Sequence, residues 1–470
     1  MTKTAQYLAI SLWIFVLSFN HSYAQQTFWS LEECIKQGIL HSKDIKQAQL
    51  KIAHQDIAVE QQKRSRDPKL FANTQMGWQF GRNIDPTTNR FNNGGIFFQS
   101  ANIQGSFSLY QGGRIAYAKQ QQKANSEAAI ADAQQVEFQL KLNITNAFLQ
   151  VLLAKEKWVL AQKTLNSSQE QSNRISKDIA IGVRPQRDLV NMQAQIAQEK
   201  RQLTNTEYQL QEAYRSLKHL IGLTIETTIE IKNTLDQDWE NAINISKFDL
   251  NNNALEAFPA FKAAKARLRA LDAEQNGILA SQKPTVELFG SIGSQFSSAA
   301  KIINGYNEQL VDQQVWLEGQ PNTLSIVQKI PNYENNPYSE QVKNNFGQSL
   351  GIRATWSIWD GKTNNFARQQ ASVRKLEAEL TIQQQAEWFN YELDKSIRYL
   401  KASQTSYALA EQSVETAQKA YDMTLATFTA GGTSAYELLD VKQRLNTAQT
   451  ALIEARYDCL FAYKIVQTLL

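Results

Sequence analysis

The residue types that most often do chemistry are present in this chain, but not in working constellations. Its four histidines, His21, His41, His54 and His219, lack metal-ligand spacing. Gly361-Lys362-Thr363 imitates the end of a phosphate-binding loop, yet Trp356 stands where the first glycine of that motif belongs. Neither a nucleophile elbow nor a dinucleotide fingerprint occurs. Cys34 and Cys459 form neither a metal site nor a redox motif; they read either as two small buried side chains or as a disulfide. What does recur is an acid after a glycine turn. Asp188 follows Gly182 by six residues, and Glu437 and Asp440 follow Gly431 by six and nine. Carboxylates suit the first turn of a helix, whose dipole favours negative charge. The chain therefore reads as no enzyme, with no catalytic residue, metal or cofactor.

The elements that carry those acids are unusually long. From Gly361 to Phe428 the sequence contains no proline, then breaks at Ala430-Gly431-Gly432-Thr433 before a second helical pattern. A helix of that length spans roughly 100 Å and needs partners along all of it. The returning helix carries a heptad, Leu438, Val441, Leu445, Ala448, Leu452, Ala455, Cys459, Ala462 and Val466. Its counterpart runs through Leu189, Met192, Ile196, Leu203, Leu210, Ala213 and Leu217, with Glu199 and Thr206 as polar interruptions.

The chain is written twice. A shift of about 249 residues places Gly112 on Gly361, Gly182 on Gly431, Leu189 on Leu438 and Ala213-Tyr214 on Ala462-Tyr463. Ahead of that region the offset changes to about 216, which leaves an insertion of about 33 residues in the second half. The expected first repeat covers 25–221: a helix, a strand pair at 69–111, a long helix at 113–181 and a returning helix at 186–220. An equatorial segment at 222–252 joins it to the second repeat, 253–470. That repeat has a helix, a strand pair at 285–359 holding a long loop at 297–346, a long helix at 361–428 and a returning helix at 434–469. Residues 1–24 read as an export signal, with Lys3, an apolar run from Leu8 to Phe19, and small residues at Ser22 and Ala24.

Lysine and arginine total 49 against 45 acids, which gives no reason to expect a nucleic-acid partner. The strands alternate with period two: Leu70, Ala72, Met76 and Trp78 oppose Asn73, Gln75 and Gln79, and Leu350, Ile352 and Ala354 oppose Ser349, Arg353 and Thr355. Such strands suit an outer-membrane barrel with lipid outside and water within, placing Glu287 and Arg353 in the lumen. Tyr110 and Trp359 then fall at the membrane interface, where amphipathic rings prefer to lie. Four strands cannot close a barrel with a polar lumen, so several copies must share one, and three copies give twelve strands. A soluble periplasmic coiled-coil adaptor or structural protein explains the heptads alone, but neither the export signal nor the strands.

These features together resemble the TolC family of outer-membrane efflux proteins. The resemblance rests on the duplicated halves, on strand pairs ending in Tyr110-Gln111-Gly112-Gly113 and Trp359-Asp360-Gly361-Lys362, and on the run Gly431-Gly432-Thr433-Ser434-Ala435-Tyr436-Glu437-Leu438-Leu439-Asp440. It implies a mixed α/β membrane protein: a homotrimer whose 12-stranded antiparallel β-barrel in the outer membrane of a Gram-negative bacterium continues as an α-helical coiled-coil barrel into the periplasm. It also implies a periplasmic adaptor and an inner-membrane pump as partners, docking at the helix-turn tips Gly182, Arg184, Gly431 and Gly432. The entrance there is narrowed by acids, by motif position Asp188, Glu437 and Asp440, beside Phe428. Six like charges from three copies at Glu437 and Asp440 would repel anions and attract cations, whereas helix-start preference alone explains the same acids. The family's basic residue two places after the turn glycine is replaced by Thr433, with Arg184 and Arg187 as alternative closing groups. Small-molecule efflux and type I protein secretion both fit this pattern.

Overall fold

The computed structural model describes residues 28–84, 89, 91–233, 235–244 and 253–470. The expected export signal lies outside them, as do residues 234 and 245–252 of the equatorial segment and 85–88 and 90 of the first inter-strand connection. In chain order the main elements are α1 (Leu31–His41), α2 (Lys43–Lys63), β1 (Lys69–Gln79), β2 (Ile96–Gln111), α3 (Arg114–Ala180), α4 (Gln186–Leu220), α5 (Asp236–Asn244), α6 (Pro259–Ala280), β3 (Thr285–Ser297), β4 (Lys301–Leu317), β5 (Gln320–Asn335), α7 (Tyr338–Asn344), β6 (Gly347–Thr355), α8 (Thr363–Thr429) and α9 (Ala435–Leu469).

The duplication read from sequence is a duplication of lengths. α3 and α8 each have 67 residues, and α4 and α9 each have 35. Neither long helix contains glycine or proline, so nothing in it interrupts the hydrogen-bond ladder. Both stop in the same way. Gly182 and Gly431 take φ of 76° and 80°, a conformation that costs glycine little. Beyond them, the amides of Val183 and Gly432 donate to the carbonyls of Asp178 and Thr427, and those of Gly182 and Gly431 to Ile179 and Phe428. This double bond pattern is the Schellman stop.

Two compact units divide the chain. One comprises the described residues within 1–55, 125–268 and 377–470. Its largest core gathers Phe148, Ile144, Leu152, Leu217, Leu400 and Leu460, with Cys34 and Cys459 among them. The two thiols are unpaired and buried, and burial pushes Cys34 up to about 12 and Cys459 up to about 11. A second core holds Phe258, Phe261, Phe389 and Leu469. A third sits at the glycine turns, described below. Phe28–Trp29 pairs in parallel with Glu230–Ile231 in the equatorial segment.

The other unit, 56–124 and 269–376, is built on an antiparallel sheet of order β6-β3-β2-β1. Its register puts Leu70, Gly105, Gly290 and Leu350 in one row, and Ala72, Ile103, Ile292 and Gln348 in the next. One face is therefore mainly apolar and exposed, with Leu350 80 % and Leu70 75 % accessible. The opposite face carries Asn73, Asn102 and Gly293 in a row, then Ser108, Glu287 and Arg353 in another. A bulge at Leu109 shifts the register, so that Tyr110 pairs with Val286 and joins the apolar face. Within the described residues, β1 and β6 have no strand on their outer sides.

Two expectations need correction. Residues 297–346 are not a loop: β4 and β5 form a long hairpin and α7 follows it. Their Asn, Gln and Pro content suggests a loop, but Glu318 and Gly319 both take positive φ and close a two-residue turn between Leu317 and Gln320. Nor does the second strand pair run to Trp359. β6 ends at Thr355, because the chain is already turning into α8, where the Asp360 carboxylate accepts from the Asn364 amide at 3.0 Å. Trp356 leaves the strand pattern as well, its indole donating to the Gln282 carbonyl at 3.1 Å.

Candidate functional site

The glycine turns that end α3 and α8 bring most of the sequence-selected residues into one region. Ile175, Met192, Phe428, Ala435 and Leu438 are buried together there, with Ile179, Leu189, Tyr421 and Leu425 packed around them. Four helix ends meet in this cluster, so the two halves of the chain are joined at the turns by apolar contact.

Arg184 is the polar centre of the region. Its side chain is only 6 % exposed, and its guanidinium lies 3.6 Å from the centre of the Phe428 ring. Nη1 pairs with Asp188 at 3.4 Å, Nε pairs with Asp178 at 3.3 Å, and Nη2 donates to the Phe428 carbonyl. That carbonyl already closes the Schellman stop of α8. One side chain thus ties the start of α4 to the end of α8 through charge, hydrogen bonds and the ring face. Arg187 is exposed and makes no such set of contacts. Asp188 is 4 % exposed, so it does not stand open at an entrance. The reason is Arg184, in the turn just before α4, whose guanidinium pairs with it. Phe428 is likewise a buried anchor of the turn, at 6 % exposure.

Glu437 and Asp440 remain exposed on the first turns of α9. Ser434 caps the helix by accepting from the Glu437 amide at 3.4 Å, and Thr433 donates to the Glu437 carboxylate. Thr433 therefore fixes an acid and offers no cation. Asp440 pairs with Arg444 at 2.9 Å on the helix surface. Of the three acids read from sequence, two are open to solvent and one of those has a neighbouring cation.

A polar layer lies further along the same helices. Lys442 is 4 % exposed; it donates to the Ser168 hydroxyl and to the Thr164 carbonyl at 3.2 Å, and pairs with Glu199 at 3.5 Å. Gln195 donates to Glu199 at 3.0 Å. Burial lowers the Lys442 pKa, against the opposing pull of Glu199. The heptad reading missed Lys442 because it placed Val441 on the seam. The available signal was Glu199, a buried acid interrupting the facing helix.

In the sheet, Glu287 and Arg353 are direct cross-strand partners on the polar face, 3.9 Å apart, with Arg353 4.7 Å from the Phe289 ring. Tyr110 and Trp359 are exposed. No group of three or more His, Cys, Asp or Glu side chains suited to a metal occurs among the described residues.

Comparison with known proteins completes the description. The family profile described as outer membrane efflux protein matches residues 34–223 and 250–470, two segments that follow the internal repeat. The pyoverdine export outer membrane protein OpmQ of Pseudomonas putida is 24% identical over 362 residues, covering 77% of this chain and 70% of its own. Among solved structures, CusC superposes with a TM-score of 0.75 at 15% identity, over 95% of both chains. VceC of Vibrio cholerae superposes with a TM-score of 0.71 at 14% identity, over 93% of this chain and 95% of its own.

Proposed function

The chain belongs to the outer membrane efflux protein family, and from that premise we propose that three copies form one export duct for small molecules, gated at the glycine turns. As a member it is an outer-membrane channel and not an enzyme, acting in the outer membrane of a Gram-negative bacterium and extending into the periplasm. The observation that carries the three-copy reading is the sheet: four strands, one apolar face, one polar face and two unpaired outer edges. In lipid those edges must be paired, and three copies supply twelve strands for a closed barrel. The paired Glu287 and Arg353 then face the lumen, and the apolar rows face lipid.

Efflux of small molecules follows the relative named for pyoverdine export in the direction of transport. The duct has no energy-transducing chemistry of its own in this reading; an inner-membrane pump and a periplasmic adaptor drive it, the adaptor docking at the tips near Gly182, Arg184, Gly431 and Gly432. Glu437 and Asp440 line the mouth, while Asp188 and Phe428 hold its wall. Because Arg444 offsets part of the Asp440 charge, Glu437 carries the larger share of cation preference. In planar bilayers Glu437→Ala with Asp440→Ala is expected to raise conductance and lower cation preference, with most of the selectivity change present in Glu437→Ala alone. Unchanged conductance and selectivity in the double variant would reduce both acids to helix-start residues. Recovery of the wild-type chain in the soluble periplasmic fraction without detergent would end the channel reading itself.

A further inference from the structure

The hairpin of β4 and β5 is the largest feature that the channel reading leaves unused. Its strands have 17 and 16 residues, or about 55 Å at 3.3 Å per residue. It rises from the end of the sheet that also bears the connection from β1 to β2, opposite to the end where the chain continues into α3 and α8. In the duct, that is the extracellular end.

Its base is firmly seated. Ser297 is fully buried and Gln341 is 1 % exposed; the Ser297 amide donates to Gln341 Oε1 at 3.0 Å, and Gln341 Nε2 donates to the Asn336 carbonyl at 2.8 Å. The Phe97 amide donates to Ser298 Oγ at 2.9 Å, and the Ser298 amide returns a bond to the Phe97 carbonyl. The hairpin is therefore directed by the sheet, not left to wander. Beyond the base, almost every residue is exposed. An isolated two-stranded ribbon is marginal in water and needs something on one of its faces.

The register separates two unlike faces. On one, Glu308 pairs with Lys329 at 3.7 Å, and Asp312 accepts from Ser325 at 2.6 Å. The other face, from the pair Asn307–Ile330 to the pair Leu317–Gln320, carries no charge at all. It presents Val311, Val315, Leu317, Leu324, Ile326 and Ile330 among asparagines and glutamines. The charged face also exposes Leu310, Val327 and Trp316, so the two faces differ in charge and not in apolar content; only the uncharged one can be covered without burying an ion. Pro321 and Pro331 lie on β5, where missing amides oppose edge-to-edge extension. Packing by faces remains open to it.

We propose that the three hairpins of the trimer pack on one another by this uncharged face, forming an apolar plug over the extracellular exit. The occupant is a second copy of this chain. The threefold assembly brings equivalent hairpins to the same mouth, so the contact continues the interface that closes the barrel. A duct so built has a constriction at each end. The proposal rests on the three-copy reading.

The test uses the full chain purified in detergent, with its mass measured by light scattering. Ile326→Cys places a thiol on the uncharged face and Leu310→Cys places one on the charged face; Cys34 and Cys459 are buried in both. Mild oxidation should join Ile326→Cys chains into disulfide-linked dimers within trimers and leave Leu310→Cys chains unlinked. Replacing residues 301–335 by a short Gly-Ser turn should raise single-channel conductance. Trimers in which Ile326→Cys stays unlinked and open to a water-soluble maleimide would overturn the plug and leave the channel reading standing. So would protection of that thiol only by lipopolysaccharide or by another protein. A monomeric mass would overturn both.

Discussion

At the scale of single residues, Arg184 matters most. It is buried with one carboxylate equally buried, Asp188, and a second, Asp178, that is 41 % exposed. Removing one partner of a buried pair typically costs about 3–5 kcal/mol, because the other charge is left without compensation. Arg184→Ala leaves Asp188 in that position and frees the end of α8 from the start of α4. The exposed Arg187, three residues on, then reports the loosening. Trypsin cleavage at Arg187 in the detergent-solubilised trimer is expected to accelerate in Arg184→Ala and to recover in part when Asp188→Asn is added. Equal cleavage rates in wild type and Arg184→Ala would show that the turn is held by its apolar cluster alone. Conductance should rise with cleavage, since both read the same release.

At the scale of elements, the helices succeed by pattern and are tuned by exceptions to it. Lys442 and Glu199 form a charged layer inside an otherwise apolar seam. Such pairs contribute little net stability but fix which turn of one helix faces which turn of the next. Lys442→Ala is expected to lower the melting temperature markedly, while Lys442→Met with Glu199→Leu should restore it to near the wild-type value. If the double replacement melts as low as the single one, the layer contributes stability and not register. The pH dependence has a defined sign. The folded-state pKa of Lys442 lies below its ordinary value, so between the two the unfolded chain binds more protons. Stability falls as pH drops through that window and is constant below it; Lys442→Met should remove the slope. The seam itself was legible in the sequence, since Leu438, Leu445, Ala448, Ala455 and Cys459 are all buried where the heptad puts them. Lys442 was not, because a heptad tolerates drift between adjacent positions, and a long polar side chain reads as solvated until its partners are known. The strands were legible from alternation, whereas the bulge at Leu109 was invisible to a strict period of two. The hairpin was hidden by composition, although Glu318-Gly319 between Leu317 and Gln320 carried the turn signal.

At the scale of the whole molecule, the chain leaves a face of one of its two longest helices uncovered. Phe366, Val373, Leu376, Leu380, Trp388 and Tyr391 on α8 are all exposed, Leu376 at 60 % and Tyr391 at 66 %. Their spacings of seven, three, four, eight and three residues keep them within about 120° of one another around the helix. A stripe of that kind on a helix of 67 residues asks for a neighbour along its length, and single large apolar residues scattered on a surface would not fall so. In the proposed three-copy duct the neighbour would be the next chain, so helix packing and closure of the sheet edges support the same assembly from different elements. The two can be separated. Leu380→Glu with Tyr391→Glu charges the stripe while leaving the sheet edges untouched. The expected result is a monomeric mass in detergent with unchanged helical circular dichroism, because α8 keeps its contacts within the chain. A trimeric mass in that variant would mean that the barrel edges alone hold the copies together, and that the α8 stripe faces something other than a second copy.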